Sequence, residues 1–112
     1  MIVAFTTKGS NWESKINPRF GRAENFVIYD ESTDILSSVS NLDSGQEAHG
    51  AGPKAAQKLI ELKADVLITG TGPGGNAALV LQKGGIDSYI KADNMTVREA
   101  YSAFKNGELT KF

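Results

Sequence analysis

The chain has 112 residues, with 12 basic and 13 acidic side chains, a formal net charge of -1 and no cysteine. This length predicts a single domain, residues 1–112, which can bury a core without a disulfide or a structural metal. The charge balance argues against a protein whose main role is to bind nucleic acid, and the missing thiols exclude cysteine-based metal sites and cysteine nucleophiles.

The apolar segments are too short for export or for membrane insertion. The run at the start of the chain has five residues and no basic flank, which does not fit a signal peptide. No apolar run approaches the roughly 20 residues that a membrane-spanning helix needs. We therefore expect a cytoplasmic protein that does not associate with a membrane.

The first part of the chain alternates short apolar runs with polar segments. Residues 2–6 form an apolar, β-branched run that predicts a buried strand. Residues 7–24 are polar and irregular, and long ordered loops of this kind are often functional. Residues 26–29 and 35–39 predict two more strands, and the short acidic turn between them predicts an antiparallel hairpin.

After Gly52 the apolar residues recur at helical spacing, and Pro53 suits the first turn of that helix because a missing N–H costs nothing there. Thr96 and Glu99 form a capping box that opens the last helix. The order β-β-β-α-β-α-β-α predicts a mixed five-stranded sheet with helices on its faces. The elements predicted between the first and last helices are a parallel strand at 65–69, a helix around 77–81 and a strand at 86–90.

The first candidate site is the stretch NPRFGRAENF at the end of the long loop. Arg19 and Arg22 bracket Phe20 and Gly21, and two guanidinium groups at this spacing can bind a carboxylate or a phosphate with paired hydrogen bonds. The alternative is that Phe20 only anchors the loop on the core, while both arginines are solvated or pair with nearby acids.

The second candidate is His49, the single histidine of the chain, which is followed by Gly50 and Gly52 ahead of a predicted helix. The amides and the dipole at a helix N-terminus attract an anion, and Lys54 adds a cation there. One histidine cannot build a closed metal site, because zinc takes about four ligands. His49 can bind a metal centre only where a preformed cofactor supplies the other ligands, and otherwise it is an exposed loop residue.

The third candidate is the segment GTGPGG, whose Gly70, Gly72 and Gly75 satisfy the dinucleotide pattern G-x-G-x-x-G, with Asp93 further on. This pattern belongs on the first strand of a two-part sheet, and here it follows the fourth strand with too few residues left for a second half. We favour a tight strand-to-helix turn. A nucleotide- or phosphate-binding regulatory module remains the alternative.

Over nearly its whole length the chain resembles the dinitrogenase iron–molybdenum cofactor biosynthesis family, which comprises small carrier and accessory proteins of nitrogenase cofactor assembly. The resemblance keeps the order and the spacing of every matching block. The blocks are MIVAFTT, RFGRAENFVIYD, HGAGPKAAQKL, ADVLITGTGPGGNAALVLQKGGI and TVREAYSAFKNGEL.

This resemblance implies an α/β fold of the ribonuclease H-like, three-layer type, with a mixed five-stranded sheet in the order 3-2-1-4-5 and strand 2 antiparallel. It implies a non-catalytic carrier of an iron–sulfur-based metallocluster, the iron–molybdenum cofactor or its precursor, in nitrogen fixation. The partners implied are cofactor-assembly proteins, and we expect a monomer or a weak homodimer.

The resemblance also assigns the site. It implies that His49 is the metal ligand and that the Arg19–Arg22 block meets the negative charge of the cofactor. The start of the following helix completes the expected site. The expected cofactor-binding residues are Arg19, Phe20, Gly21, Arg22, His49, Gly50, Gly52 and Lys54.

Two enzymatic alternatives lack the residues they need. For a serine hydrolase, the sequence offers no G-x-S-x-G motif, only Ser44 as a serine near His49, and no second histidine as an alternative base. A ribonuclease H-type nuclease holds its two Mg²⁺ ions with carboxylates, one of them on the first strand, and residues 2–6 contain none. We therefore expect no enzymatic activity.

Overall fold

The computed structural model describes residues 1–41 and 51–112, so His49 and Gly50 lie outside the described residues. The strands are β1 Ile2–Thr7, β2 Asn25–Asp30, β3 Ile35–Ser40, β4 Val66–Ile68, β5 Asp87–Ile90 and β6 Thr110–Lys111. The helices in the described residues are α1 Ala51–Glu61, α2 Gly75–Lys83 and α3 Val97–Lys105. Among these residues, no helix has the length and the apolar character needed to cross a bilayer.

The strands form one mixed sheet in the order β3-β2-β1-β4-β5-β6. Strand β1 is antiparallel to β2 and parallel to β4, and β4 is parallel to β5. This arrangement confirms the predicted order 3-2-1-4-5 with strand 2 antiparallel. The last residues of β1, β4 and β5 therefore lie at one end of the sheet, which we call the carboxyl edge. The start of β2 and the end of β3 lie there too.

The prediction of five strands missed β6, which pairs antiparallel with the outer side of β5. Both of its residues are exposed, and a two-residue polar strand shows no apolar alternation that a sequence pattern could detect. The Phe112 N–H continues the ladder by donating to the carbonyl of Ser88 at 2.8 Å. Strand β6 forms because the outer backbone groups of β5 are available to pair with it.

Helices cover both faces of the sheet, which gives the predicted three layers. Helices α1 and α2 pack on one face, where Phe26, Leu59 and Leu81 are buried in one core cluster. Helix α3 packs on the other face, where Phe5 and Val97 belong to a second cluster. Strand β1 supplies residues to both clusters because successive side chains of a strand point to opposite faces.

The predicted capping box opens α3. The Thr96 hydroxyl accepts from the Glu99 N–H at 3.1 Å, and the Glu99 carboxylate accepts from the Thr96 N–H at 2.9 Å. The two bonds satisfy amide groups that have no partner within the helix. The bond from the Thr96 N–H, together with that residue's hydroxyl, lowers the pKa of Glu99.

The α3 face carries an acid–phenol pair that makes stability depend on pH. The Tyr101 hydroxyl donates to the Glu31 carboxylate, and Lys105 pairs with the same oxygen at 3.0 Å. The Tyr101 bond first, and Lys105 second, lower the pKa of Glu31. Burial and the bond to Glu31 raise the pKa of Tyr101 to about 12.

We expect Tyr101→Phe to reduce stability more at neutral pH than in acid. Because folding lowers the pKa of Glu31, the bond contributes stability above the ordinary glutamate value of 4.5, and this contribution is lost as pH falls through the lower folded value. Urea unfolding of both proteins at about pH 7 and about pH 3 measures the difference. A gap of equal size at the two pH values would contradict this expectation.

Candidate functional site

The end of the long loop is fixed to the sheet by buried threonine hydroxyls. The Asn17 N–H donates to the Thr6 carbonyl at 2.8 Å, and the Thr6 hydroxyl donates to the Asn17 carbonyl at 2.7 Å. The hydroxyls of Thr6 and Thr69 are also 2.7 Å apart. Because the Thr6 hydroxyl has one proton, Thr69 is the donor of that pair. The loop is thereby tied to both β1 and the end of β4.

Pro18 continues this attachment onto the loop between β4 and α2. Its carbonyl accepts from the Thr71 N–H at 2.9 Å and from the Thr71 hydroxyl at 2.7 Å. A Cβ on Gly70 would lie 2.6 Å from the Cα of Pro18 and 2.9 Å from the Asp93 carboxylate. Gly70 therefore lets two loops of the carboxyl edge touch, and Asp93 packs against the same turn.

The remaining glycines of GTGPGG fall into two kinds. Gly72 has φ +96°, which disfavours any other residue, so its role is conformational. A Cβ on Gly74 or on Gly75 would meet nothing within 4 Å. Gly74 is the N-cap of α2 and supplies no side-chain cap, so neither residue places a side chain over the helix N-terminus. The tight-turn interpretation explains Gly70 and Gly72, and it leaves Gly74 and Gly75 unexplained.

Phe20 anchors the arginine block on the core, as one of the two interpretations of this block expects. Its side chain is buried with Phe26, and the ring centroids are 5.9 Å apart. Arg19 and Arg22 are both exposed, and the Arg19 N–H donates to the Asn17 side chain at 3.0 Å. The burial of Phe20 does not prevent the two arginine side chains from binding an anion. It holds the backbone that carries them in one place.

Asn41 secures the far end of the block, and it was not among the residues predicted for the site. Its side chain is fully buried, and its amide donates to the Ala23 carbonyl at 2.9 Å, with the Gly21 carbonyl at 3.5 Å. Its N–H donates to the Glu24 carbonyl at 2.9 Å. Within the described residues, its side-chain oxygen has no hydrogen-bond partner. No local pattern distinguishes this asparagine from an ordinary turn residue.

The first turn of α1 lies on the same face of the sheet as Phe20. The helix begins at Ala51, so Gly52 and Lys54 both fall in that turn. A Cβ on Gly52 would lie 3.1 Å from the Cβ of Ala77 in α2, which places the N-terminal turns of the two helices side by side. Both turns direct amide groups and positive partial charge toward the carboxyl edge.

Six of the eight predicted site residues lie in the part of the chain that the structure describes, and they belong to elements on the α1–α2 face near the carboxyl edge, which we call the arginine corner. These residues are Arg19, Phe20, Gly21, Arg22, Gly52 and Lys54. His49 and Gly50 lie outside the described residues, so their roles stay predictions. The elements at this corner carry guanidinium groups, an ammonium group and two helix N-termini, and each of these is a kind of donor that suits an anion.

A separate pocket of about 430 Å³ lies between α2 and the β5–β6 side of the sheet. Gln82, Ile86 and Phe112 contribute to its wall, as does the ion pair of Asp87 with Lys111 at 3.7 Å. None of the six predicted site residues that the structure describes lines it. The arginine corner is therefore a different surface from this pocket.

Asp65, an acidic residue just before β4, lies at the end of the sheet opposite the carboxyl edge, and so it does not form a nuclease site there. The Asp65 carboxylate accepts from the Ile2 N–H at 2.8 Å, at the end where β1 begins. Across residues 1–41 and 52–112, no three histidine, aspartate or glutamate side chains come together as metal ligands would. Asp65 has a structural partner at the opposite end from the arginine corner.

Comparison with known proteins agrees with this fold. The family described as dinitrogenase iron-molybdenum cofactor matches residues 1–107. The apo form of the orange protein from Desulfovibrio gigas is 37% identical, with a TM-score of 0.94 over 99% of this chain and 92% of that chain. A NifB-like protein of the DUF35 family from Thermotoga is 35% identical, with a TM-score of 0.84 over 98% of this chain and 91% of that one.

A comparison with curated proteins finds no match. The family match covers all the described strands and helices except β6, and both similar structures extend over almost the whole chain. The chain therefore belongs to the dinitrogenase iron-molybdenum cofactor family.

Proposed function

We propose that the protein is a non-catalytic, cytoplasmic carrier of a preassembled iron–sulfur-based metallocluster, the iron–molybdenum cofactor or a precursor of it. Membership of a family named for that cofactor supports this proposal. So does the similarity to a protein whose structure is described as an apo form, since that term denotes the ligand-free state of a ligand-binding protein. Its partners would be the proteins that assemble the cofactor and receive it.

The observation that carries the proposal is the attachment of the Arg19–Arg22 block at both of its ends. Pro18 fixes one end of the block to the β4–α2 loop, and Asn41 fixes the other end to β3. Rigid donors bind more tightly than mobile ones, because less conformational freedom is lost when the ligand arrives. Guanidinium groups and first-turn amides suit the sulfides and carboxylates of an anionic cluster.

His49 would add one coordination bond to this electrostatic site. A neutral imidazole is a common metal ligand, and a preassembled cluster already holds its other ligands. The histidine stands two residues before the first residue of α1 in the sequence. In this arrangement the arginines and amides supply most of the affinity, and the imidazole selects a cluster with an open metal position.

One observation favours the phosphate-binding alternative. Gly74 and Gly75 leave the N-terminus of α2 without a side chain over it, although neither the packing nor φ of Gly74 requires glycine. Exposed amides at that position suit a phosphate group. Thermal-shift measurements with ATP, NAD and inorganic phosphate separate the two functions, because only a ligand that binds the folded state raises Tm.

The direct experiment is anaerobic mixing of the protein with isolated iron–molybdenum cofactor, followed by desalting. We expect the protein fraction to retain molybdenum and iron and to show a charge-transfer absorption band. His49→Ala should weaken retention, whereas Glu47→Ala, in the same segment, should not. Failure of the unaltered protein to retain the cofactor would overturn the carrier function. Equal retention by the two variants would remove only His49 from the site.

A further inference from the structure

Within the described residues, strand β3 is an edge of the sheet whose own side chains provide little of the usual protection, although Lys58 donates to the carbonyl of Ser40 at its end at 2.9 Å. Within the described part of the chain it pairs only with β2, and it has six residues, none of them charged and none of them proline. Ile35 is 59% exposed. Natural proteins usually block such an edge with a charge, a bulge or a very short strand. The opposite edge follows that rule, because β6 has two residues and one of them is Lys111.

The register with β2 shows which residues of β3 share a face. Ile35 and Val39 lie opposite Asp30 and Phe26, and Ser37 lies between them on the same face. Val39 packs against the core beneath α1. Ile35 extends the same apolar row into solvent. The strand thus presents an apolar residue on this face at each end and a serine in the middle.

We propose that β3 is a self-association edge, and that it pairs antiparallel with β3 of a second copy of this chain about a two-fold axis through Ser37. In such a pair, residues that lie directly opposite each other point to the same face of the joined sheet. Each register can therefore be named by the sum of the two facing residue numbers, and this total must be even. A total of 74 places Ser37 opposite itself and Ile35 opposite Val39 of the partner subunit. The symmetry repeats the apolar pair, so both exposed isoleucines gain an apolar neighbour.

The neighbouring registers do not achieve this pairing. A total of 76 places Ile35 opposite Asn41 of the partner subunit, which lies beyond the strand. A total of 72 places Val39 opposite Thr33 of the partner subunit, in the turn. Totals of 70 and 78 place Ile35 or Val39 opposite itself, but they overlap the two strands by only one and three residues, whereas the total of 74 overlaps five. The total of 74 therefore combines apolar pairing with the longest overlap among the registers that pair apolar residues.

The pairing is weak and leaves the arginine corner free. A single pair of six-residue strands buries less area than a standard stable interface, so association is expected only at high micromolar concentration. Because the strands run antiparallel, the carboxyl edges of the two copies point in opposite directions. Ligand binding at one copy therefore does not require the other, and the proposal does not rest on the carrier function.

The absence of cysteine from the chain makes the register directly testable. Ser37→Cys introduces a single thiol that meets its own copy across the two-fold axis, so mild oxidation should give a disulfide-linked dimer on a non-reducing gel. Ser38→Cys is the matched control. It is equally an exposed serine of β3, but it points to the other face and lies opposite Leu36 of the partner subunit. Preferential cross-linking through position 38 would overturn the register.

Sedimentation velocity tests the association itself. The unaltered protein should show a dimer fraction that grows with concentration, and Ser37→Lys should abolish it by placing two ammonium groups opposite each other. An equimolar mixture of Ser37→Lys with Ser37→Glu should restore it. Position 37 is exposed, so each variant should keep the circular dichroism spectrum of the unaltered protein. A protein that stays monomeric up to its solubility limit would overturn the proposal.

Discussion

Replacing both Arg19 and Arg22 with glutamine should weaken binding of the iron–molybdenum cofactor by about 100-fold or more. A hydrogen bond to a charged group contributes about 1.5–3 kcal/mol, and each 1.4 kcal/mol is a factor of ten. Glutamine keeps a polar side chain but removes the charge and the paired donors. The fold should be retained, because Phe20 and not the arginines anchors the block in the core. Titration of the two proteins with isolated cofactor under anaerobic conditions measures the change.

The chain provides a matched control in Arg98, its third arginine. This residue pairs with Glu13 at 2.9 Å and lies 5.4 Å from the centre of the Trp12 ring, on the α3 face of the sheet. Arg98→Gln should leave cofactor affinity unchanged. Binding that weakens equally in both variants would mean that only overall charge matters, and it would contradict a site at the Arg19–Arg22 block.

Gly70→Ala should destabilise the protein by about 1–3 kcal/mol, the usual cost of forcing an extra group into a packed site. The added Cβ would lie 2.6 Å from the backbone of Pro18, and backbone atoms cannot move aside as the end of a side chain can. The long loop must lift from the β4–α2 loop, and the two hydrogen bonds between Pro18 and Thr71 would be strained. Urea unfolding should show a lower midpoint.

Gly75→Ala is the corresponding control, because a Cβ there meets no atom within 4 Å and the residue is helical. It should leave the midpoint unchanged or raise it slightly, since alanine loses less backbone freedom than glycine in a helix. Cofactor affinity should fall in Gly70→Ala, because the arginine block is displaced. Equal unfolding midpoints for the two variants would contradict the role of Gly70 as a contact point between loops.

The long loop shows where prediction from sequence reached its limit. Its polar composition predicts an irregular segment, and its arginines predict an anion site. The structure shows in addition that the loop is fixed to the sheet: Phe20 is buried, as one interpretation of its block expects, and so is Ile16, whose N–H donates to the Met95 carbonyl at 2.9 Å. These partners are distant in sequence, so no local periodicity could indicate them.

Patterns of near neighbours were enough to predict five strands, three helices, the capping box at Thr96 and the glycine-rich turn after β4. Alternation, helical spacing and turn chemistry depend on residues close in the chain, and the overall resemblance to a family supplied the sheet order. Three features depended on the tertiary structure: strand β6, the buried amide of Asn41 and the contact of Gly70 with Pro18. Each arises because backbone groups far apart in sequence become each other's hydrogen-bonding or packing partners only after the sheet has formed.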